Sequence, residues 1–311
     1  KEKAPTAATT LVEHGVSLVL GSYGSDESMA GSSVFEAAGI PVVGANCTNP
    51  AVTADNQHYF RICWLDTFQG SALANFAAEH LAASTVYCLA EQEDNYSAGL
   101  CSYFIQAFTA LGGTIVYETY PAGTTDFAPY LQAAQRANAD VFFAPVSIES
   151  AVWITAQAGE LNLDMPILAG DTWDSNVVAA AGKNANLDIY VTTFFDDSVQ
   201  SEEGKAFVEG FQQYISSLDS RLKHNGGNTM VSAISAMGYD AYFTVLEAMK
   251  NAKSADPQAI QEALWNTSYS GITGEISFES ENGDANRSTA FIKKVDKDFG
   301  TWEFITVQSV G

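Results

Sequence analysis

Short apolar runs alternate with segments of helical period along the first two thirds of the chain. Runs at Val16–Gly21, Ile40–Gly44, Tyr59–Cys63, Thr85–Ala90, Thr114–Tyr120, Asp140–Pro145, Pro166–Gly170 and Ile189–Phe195 are mostly near-continuous in apolar residues. A strand reads this way when helices cover both faces of its sheet, which predicts parallel βαβ units. Between the runs, Ser28–Ala38, Thr67–Ala83, Ser97–Leu111, Ala128–Ala139 and Ser150–Gly159 carry apolar residues at helical spacing. Beyond Phe195 the rhythm changes. Helical patterns at Ser201–Leu218, Val231–Ala252 and Pro257–Thr267 follow one another with no strand between them. The end then turns β-rich, with strands expected at Gly274–Glu279, Thr289–Val295 and Thr301–Val307. Asn282-Gly283-Asp284 and Asp298-Phe299-Gly300 read as hairpin turns. The whole pattern is that of an α/β fold.

A length of 311 residues suits two such domains, since one domain usually takes roughly 100–200 residues. No Pro/Gly/Ser-rich linker separates two halves, so short crossings of the backbone are expected to join them. Hydrophobic residues make up 47 % and charged residues 16 %, enough apolar material for sizeable cores. The charge is one-sided: 14 Lys+Arg against 37 Asp+Glu give a formal net charge of −23. Such a chain repels phosphate backbones and anionic lipid, which argues against nucleic-acid and membrane-surface partners. Its longest apolar stretches, such as Val141–Pro145, are far shorter than the roughly 20 residues a bilayer span requires, so no direct membrane insertion is expected.

Catalytic and metal signatures are missing. Gly21–Ser25 lacks the spacing and third glycine of a dinucleotide turn, and neither a Walker A sequence nor a Gly-x-Ser-x-Gly elbow occurs. His14, His58, His80 and His224 are scattered, none beside a plausible nucleophile. Cys47, Cys63, Cys88 and Cys101 have no zinc-type spacing, so neither a metal nor another cofactor is expected. Buried thiols are one reading of these cysteines. Disulfides are the other, and Cys88 and Cys101 lie nearly level on a predicted strand and its returning helix.

What remains is polar chemistry after the strands, where open α/β sheets place their ligands. Ser25 follows the first strand and precedes a helix N-terminus, whose free N–H groups suit a carboxylate. Simple N-capping is the plainer role for the same serine. The loop Ala45–Pro50 is rich in donors, and Asp171 stands directly after the strand ending at Gly170, where a lone carboxylate would receive an ammonium group.

The order and spacing of several segments then carry a resemblance. Gly21 with Ser25, Glu36–Gly44, Thr48–Thr53, Tyr59–Ile62 and Asp66–Gly70 are followed by Asn95-Tyr96, Thr125–Phe127, Asp140–Phe143, Gly238–Ala241 and Gly271–Gly274. Over essentially the whole chain this series resembles the leucine/isoleucine/valine-binding proteins of branched-chain amino-acid ABC transporters. The resemblance implies the type I periplasmic-binding-protein fold: two doubly wound three-layer lobes joined by three crossings, with a ligand clamped between them. Lobe 1 is expected at 1–64 and 197–287, lobe 2 at 65–196 and 288–311. Members of the family begin about sixty residues before the point matching Lys1, so the first βα unit is expected to be absent from this chain.

Residue by residue, Ser25, the Asn46 backbone and Thr48 match positions that hold a ligand's α-carboxylate and part of its ammonium group. Tyr96 matches an aromatic contact from lobe 2, and Asp171 an acidic ammonium partner. Val146 and Ser147 fall where relatives can carry an aromatic ligand contact, which makes Ser147 a candidate for the side-chain pocket. Trp173 and Trp153 are alternative lining residues, with core packing and an exposed helix face as their plainer roles. The implied function is that of an extracytoplasmic binding protein, periplasmic or a cell-surface lipoprotein. It would clamp an amino acid with an apolar or aromatic side chain and deliver it to a membrane permease, and would not be an enzyme. A ligand sensor on the same fold, regulating a partner protein, is the alternative.

Overall fold

The computed structural model describes residues 1–198, 201–278 and 282–309. It divides into two compact units. Unit 1 comprises Lys1–Asp66 and Ile234–Ser288, and unit 2 comprises Thr67–Ala233 and Thr289–Gly311, so the chain passes between them three times.

In chain order, unit 1 opens with α1 (Ala4–Glu13), β1 (Val19–Leu20), α2 (Ser25–Ala38), β2 (Val42–Gly44) and β3 (Tyr59–Arg61). Starting at the crossing, α3 (Asp66–Asn75) continues as a π-turn over Phe76–His80. Unit 2 then runs through β4 (Thr85–Glu91), α4 (Asn95–Ala110), β5 (Thr114–Tyr120), α5 (Ala128–Arg136), β6 (Val141–Phe143), α6 (Ile148–Glu160), β7 (Ile167–Ala169), α7 (Asn176–Ala185) and β8 (Ile189–Thr193). Two more helices follow there, α8 (Glu202–Ser216) and α9 (Asp219–His224). The return to unit 1 supplies α10 (Ala233–Ala252), α11 (Pro257–Leu264), β9 (Ser268–Gly271), β10 (Gly274–Ser277) and β11 (Gly283–Asp284). Finally β12 (Thr289–Asp296) and β13 (Thr301–Ser309) close unit 2.

Unit 1 holds a parallel sheet in the order β1-β2-β3-β11 and a separate β9–β10 hairpin. Unit 2 is a seven-stranded sheet, β13-β12-β8-β7-β6-β4-β5, parallel except for β12 and β13. Its β4 shows why the apolar runs are continuous. Tyr87 and Leu89 point into one core with Leu131 and Ile154 of α5 and α6, while Val86, Cys88 and Ala90 point into another with Leu100 and Phe104 of α4. Successive side chains leave a strand on opposite faces, and here both faces are dry.

Several elements depart from the sequence reading. α1 lies where no element was expected, and only Ala8 of it is buried. The first strand shrinks from Val16–Gly21 to Val19–Leu20, because β2 pairs with it over just two residues. α2 starts at Ser25, three residues before the expected Ser28, with Gly24 as its N-cap. The α-helical pattern expected through Ala83 gives way at Phe76 to i→i+5 bonding, as Leu81 N–H reaches Phe76 O. Gly283-Asp284 is not a hairpin turn but β11, parallel to β3. A Cβ on Gly283 would stand 2.1 Å from Tyr59 O, so only glycine permits that approach. Strand β9 was missed, and Glu279, the expected end of the β10 pattern, lies outside the described residues. Residues 197–233, given to lobe 1 from sequence, belong to unit 2. There Phe207 of α8 meets Phe195 edge-on, and Asn176 Nδ2 donates to Asn225 O at 2.8 Å.

No helix of the described residues is long and apolar enough to cross a membrane. All four cysteines are buried thiols with no disulfide between them. Cys101 Sγ instead points at Leu89 O, 3.9 Å away.

Candidate ligand-binding site

The first group of site residues is built in unit 1 on the loop between β2 and β3. Ser25 is buried at the first position of α2, and its hydroxyl does not cap that helix. It accepts instead from Asn49 N–H at 3.1 Å, tying the helix start to the loop. Asn49 Oδ1 accepts from Ala51 N–H at 2.9 Å and starts the short turn Pro50–Val52, while Asp66 N–H donates to Thr48 O at 2.9 Å. Beneath the loop lies Arg61, 0 % exposed. Its Nη1 donates to Cys47 O (2.7 Å) and Asn49 O (2.5 Å), its Nη2 to Pro50 O (3.4 Å) and Thr53 Oγ (2.9 Å), and its Nε to Asp284 Oδ1 (2.5 Å).

With those backbone groups engaged, two polar side-chain atoms of the loop stand out. Thr48 Oγ and Asn46 Oδ1 are buried and have no hydrogen-bond partner within the protein. A buried hydroxyl left unpaired costs about 1–3 kcal/mol, so a ligand that pairs it recovers that amount. Between them, the Cys47 thiol is held down to about 7 by a hydrogen bond from Cys63, against burial and with help from the Arg61 charge, Ser28 and Tyr59. Tyr59 itself is pushed well up, by burial first and by Cys47 second.

The second group belongs to unit 2 and gathers around the end of β7. Asp171 opens the 3-10 turn Asp171–Trp173 and is not a cap for α7, a role that Ser175 fills by accepting from Val177 N–H. Asp171 Oδ1 accepts from Gln69 Nε2 at 2.6 Å and from the Tyr96 hydroxyl at 3.1 Å. Tyr96 sits in the first turn of α4, which Asp94 caps through Ser97 N–H at 2.6 Å. Gln69 also donates to Thr192 Oγ at 2.7 Å, and its Oε1 is buried with no partner within the protein. The sequence reading gave Gln69 no role. That residue lies within the segment Asp66–Gly70 that carries the resemblance, beside Gly70, where a Cβ would stand 2.7 Å from Tyr103 Cβ and 2.8 Å from Phe104 N, so α3 and α4 pack backbone to backbone. Below the turn, buried Lys293 reaches Asp174 (3.4 Å) and Asp196 (3.7 Å), and Thr193 also donates to Asp174.

The remaining candidates separate from this cluster. Ser147 is exposed and caps α6, accepting from Ser150 N–H at 3.4 Å. Trp173 is fully buried and donates its indole N–H to Val146 O at 3.0 Å, so it packs in the core. Trp153 is 43 % exposed on α6. Chemically, the unit 1 group offers a hydroxyl, an amide oxygen and first-turn N–H groups, and the unit 2 group offers a carboxylate with an amide oxygen beside it. Taken separately, the unit 1 group suits a carboxylate and the unit 2 group an ammonium, and neither set of atoms makes a nucleophile–base pair. Among the described residues no cluster of His, Cys, Asp and Glu is placed to hold a metal ion.

Comparison with known proteins points the same way. A family profile described as "Periplasmic binding protein" matches residues 1–299. The leucine-, isoleucine-, valine-, threonine- and alanine-binding protein of Pseudomonas aeruginosa is 22 % identical over 302 residues, covering 96 % of this chain and 76 % of that protein. Among solved structures, the leucine-binding protein LivK of Thermotoga maritima superposes with a TM-score of 0.89 at 30 % identity, covering 99 % of this chain and 84 % of that one. The branched-chain amino-acid transporter substrate-binding protein LivJ of Streptococcus pneumoniae, solved with isoleucine, gives 0.83 at 26 % identity, with coverage of 99 % and 84 %.

Proposed function

The chain belongs to the periplasmic binding protein family, among the branched-chain amino-acid-binding proteins, and from that premise we propose that it captures an L-amino acid outside the cytoplasm for delivery to a membrane permease of an ABC transporter. Ser25, Thr48, Asn46 and the first-turn amides of α2 receive the α-carboxylate and part of the ammonium group. Asp171, steadied by Gln69 and Tyr96, takes the ammonium charge, and Ser147, exposed at the start of α6, is the candidate contact for the ligand side chain. The two compact units act as lobes, moving about the three chain crossings, and the closed form is what the permease reads. An apolar or aromatic side chain is favoured for the ligand.

The observation that carries this reading is the pair of buried, unpartnered atoms, Thr48 Oγ and Asn46 Oδ1, on a loop whose carbonyls at 47, 48, 49 and 50 all accept hydrogen bonds. Support also comes from relatives named for binding leucine, isoleucine and valine. The test is a thermal-shift screen of the common L-amino acids with sugars as controls. A ligand at about 100 times its Kd stabilises the folded state by about 2.7 kcal/mol, so leucine-like or aromatic amino acids should raise the melting temperature and sugars should not. No shift with any amino acid would overturn the proposal.

A further inference from the structure

Arg61 is a buried side chain of unit 1 with five hydrogen-bond acceptors, and a ligand site does not by itself require it. A guanidinium has five N–H donors in a rigid fork. Arg61 has five acceptors around it: Asp284 Oδ1, the carbonyls of Cys47, Asn49 and Pro50, and Thr53 Oγ. Thr53 closes the ring by donating to Asp284 Oδ1 at 2.7 Å. Three of the five acceptors are backbone carbonyls within four consecutive residues. They flank Thr48, whose own carbonyl is held from elsewhere by Asp66 N–H.

That pattern fixes direction as well as position. The Cys47–Thr48 peptide is trans; among the described residues only Gly21–Ser22 is cis. In a planar trans peptide the C=O and the following N–H point opposite ways. With Cys47 O turned down onto the guanidinium, the Thr48 N–H faces away from Arg61. Asn49 O is turned down in the same way two residues later. We propose that Arg61 is a positioning residue: by gripping the carbonyls on either side of Thr48, it holds residues 46–53 in the one backbone conformation that presents Thr48 Oγ and Asn46 Oδ1 to a ligand. The inference rests on the reading of Thr48 and Asn46 as ligand contacts. It predicts that affinity depends on the shape of the donor fork and not simply on a positive charge paired with Asp284. Lysine keeps the charge and the pairing but has three donors on one nitrogen, so it cannot span four acceptor groups of the loop.

The test compares wild type with Arg61→Lys and Thr53→Val in the full chain. Hydrogen exchange is read residue by residue without ligand, and L-leucine and L-phenylalanine binding is read by calorimetry. Arg61→Lys should speed exchange of the amides at 47–49 and 51–53 at least ten-fold relative to those of β2 and β3, and weaken binding at least ten-fold in protein shown to be folded. Thr53→Val, which removes one acceptor and leaves the arginine, should move both readouts the same way by a smaller factor, and it carries the test if Arg61→Lys fails to fold. A purely structural role would lower the unfolding midpoint while leaving the folded protein's affinity and the local exchange ratio unchanged, and that result would overturn the inference. If wild type binds neither amino acid, the proposed function fails on that arm. The exchange ratio still decides whether Arg61 holds the loop.

Discussion

Gly170 offers a direct test of how the unit 2 cluster is built. Its φ of −81° suits any residue, so alanine there strains no backbone. The added Cβ would instead meet the Tyr96 hydroxyl oxygen at 2.3 Å, Leu100 Cδ2 at 2.8 Å and Gln69 Nε2 at 3.1 Å. Carbon and oxygen in comfortable contact stand about 3.3–3.6 Å apart, so the hydroxyl must retreat by about 1 Å. It lies 3.1 Å from Asp171 Oδ1, and a shift of that size breaks the bond. Gly170→Ala should therefore cost about 1–3 kcal/mol of overpacking plus about 1.5–3 kcal/mol for the bond to a carboxylate. Tyr96→Phe alone should cost about the second amount. In the double variant there is no hydroxyl to strike and no bond left to lose. Its cost should fall short of the sum of the singles by about 1.5 kcal/mol or more, measured by urea unfolding of all four proteins. Independent sites add to within about 0.5 kcal/mol. An interaction energy inside that limit would show that the Tyr96 hydroxyl does not sit between Gly170 and Asp171.

Thr48→Val keeps the shape and removes a buried hydroxyl that has no partner within the protein. The ligand-free protein should be as stable as wild type, or more stable by about 1 kcal/mol, while calorimetry with leucine shows at least a ten-fold loss of affinity. Gly283→Ala should destabilise unit 1 by about 3 kcal/mol or more, read from the urea midpoint, because the colliding atoms Tyr59 O and Phe60 Cα belong to a paired strand that cannot step aside. Cys47 makes a pH prediction: its folded value of about 7 lies below the ordinary 9. The stability it contributes is thus present above the unfolded value and lost as pH falls through about 7. Under reducing conditions, the stability advantage of wild type over Cys47→Ala should grow between pH 6 and pH 9, and a flat difference would contradict the shift.

The α/β alternation was legible because both faces of each inner strand are buried, which writes the strand into the sequence as an apolar run. β4 and β6 are examples. Elements with little burial left little trace. α1 is rich in Ala and Thr and buries one residue, and β11 is two residues long and hides inside an Asn-Gly-Asp sequence that reads as a turn. Turn chemistry and close strand approach both call for glycine, and sequence alone does not say which one applies. Among the candidate contacts, Ser25 and Asp171 stand out in sequence by their places directly after strands, and Thr48 and Tyr96 by motif order. Their supports do not, for a physical reason. Arg61 and Asp284 lie 223 positions apart, and Gln69 and Asp171 lie 102 apart. Buried polar partners at such separations are joined by folding, and neither helical nor strand periodicity records them.

The two groups of site residues also differ in how they treat charge, and the difference bears on what the proposed site prefers. In unit 1, the positive charge of Arg61 is committed to Asp284 and to loop carbonyls, and the loop atoms left without a partner, Thr48 Oγ and Asn46 Oδ1, are neutral. A carboxylate bound by hydroxyl and amide groups alone keeps its charge without a salt bridge, which suits capture that must be reversible. In unit 2, Asp171 carries a formal charge already steadied by two donors, Gln69 and Tyr96. Those donors make the carboxylate bearable when no ligand is present. Amide and phenol groups themselves bring no positive charge. An ammonium group supplies what the donors lack, and a neutral or purely anionic ligand does not. Removing one member of a buried, hydrogen-bonded charge pair typically costs 2–5 kcal/mol or more. On the proposed reading, selection for an α-amino group therefore rests on Asp171 and its two donors, while Thr48 and the loop held by Arg61 select the carboxylate.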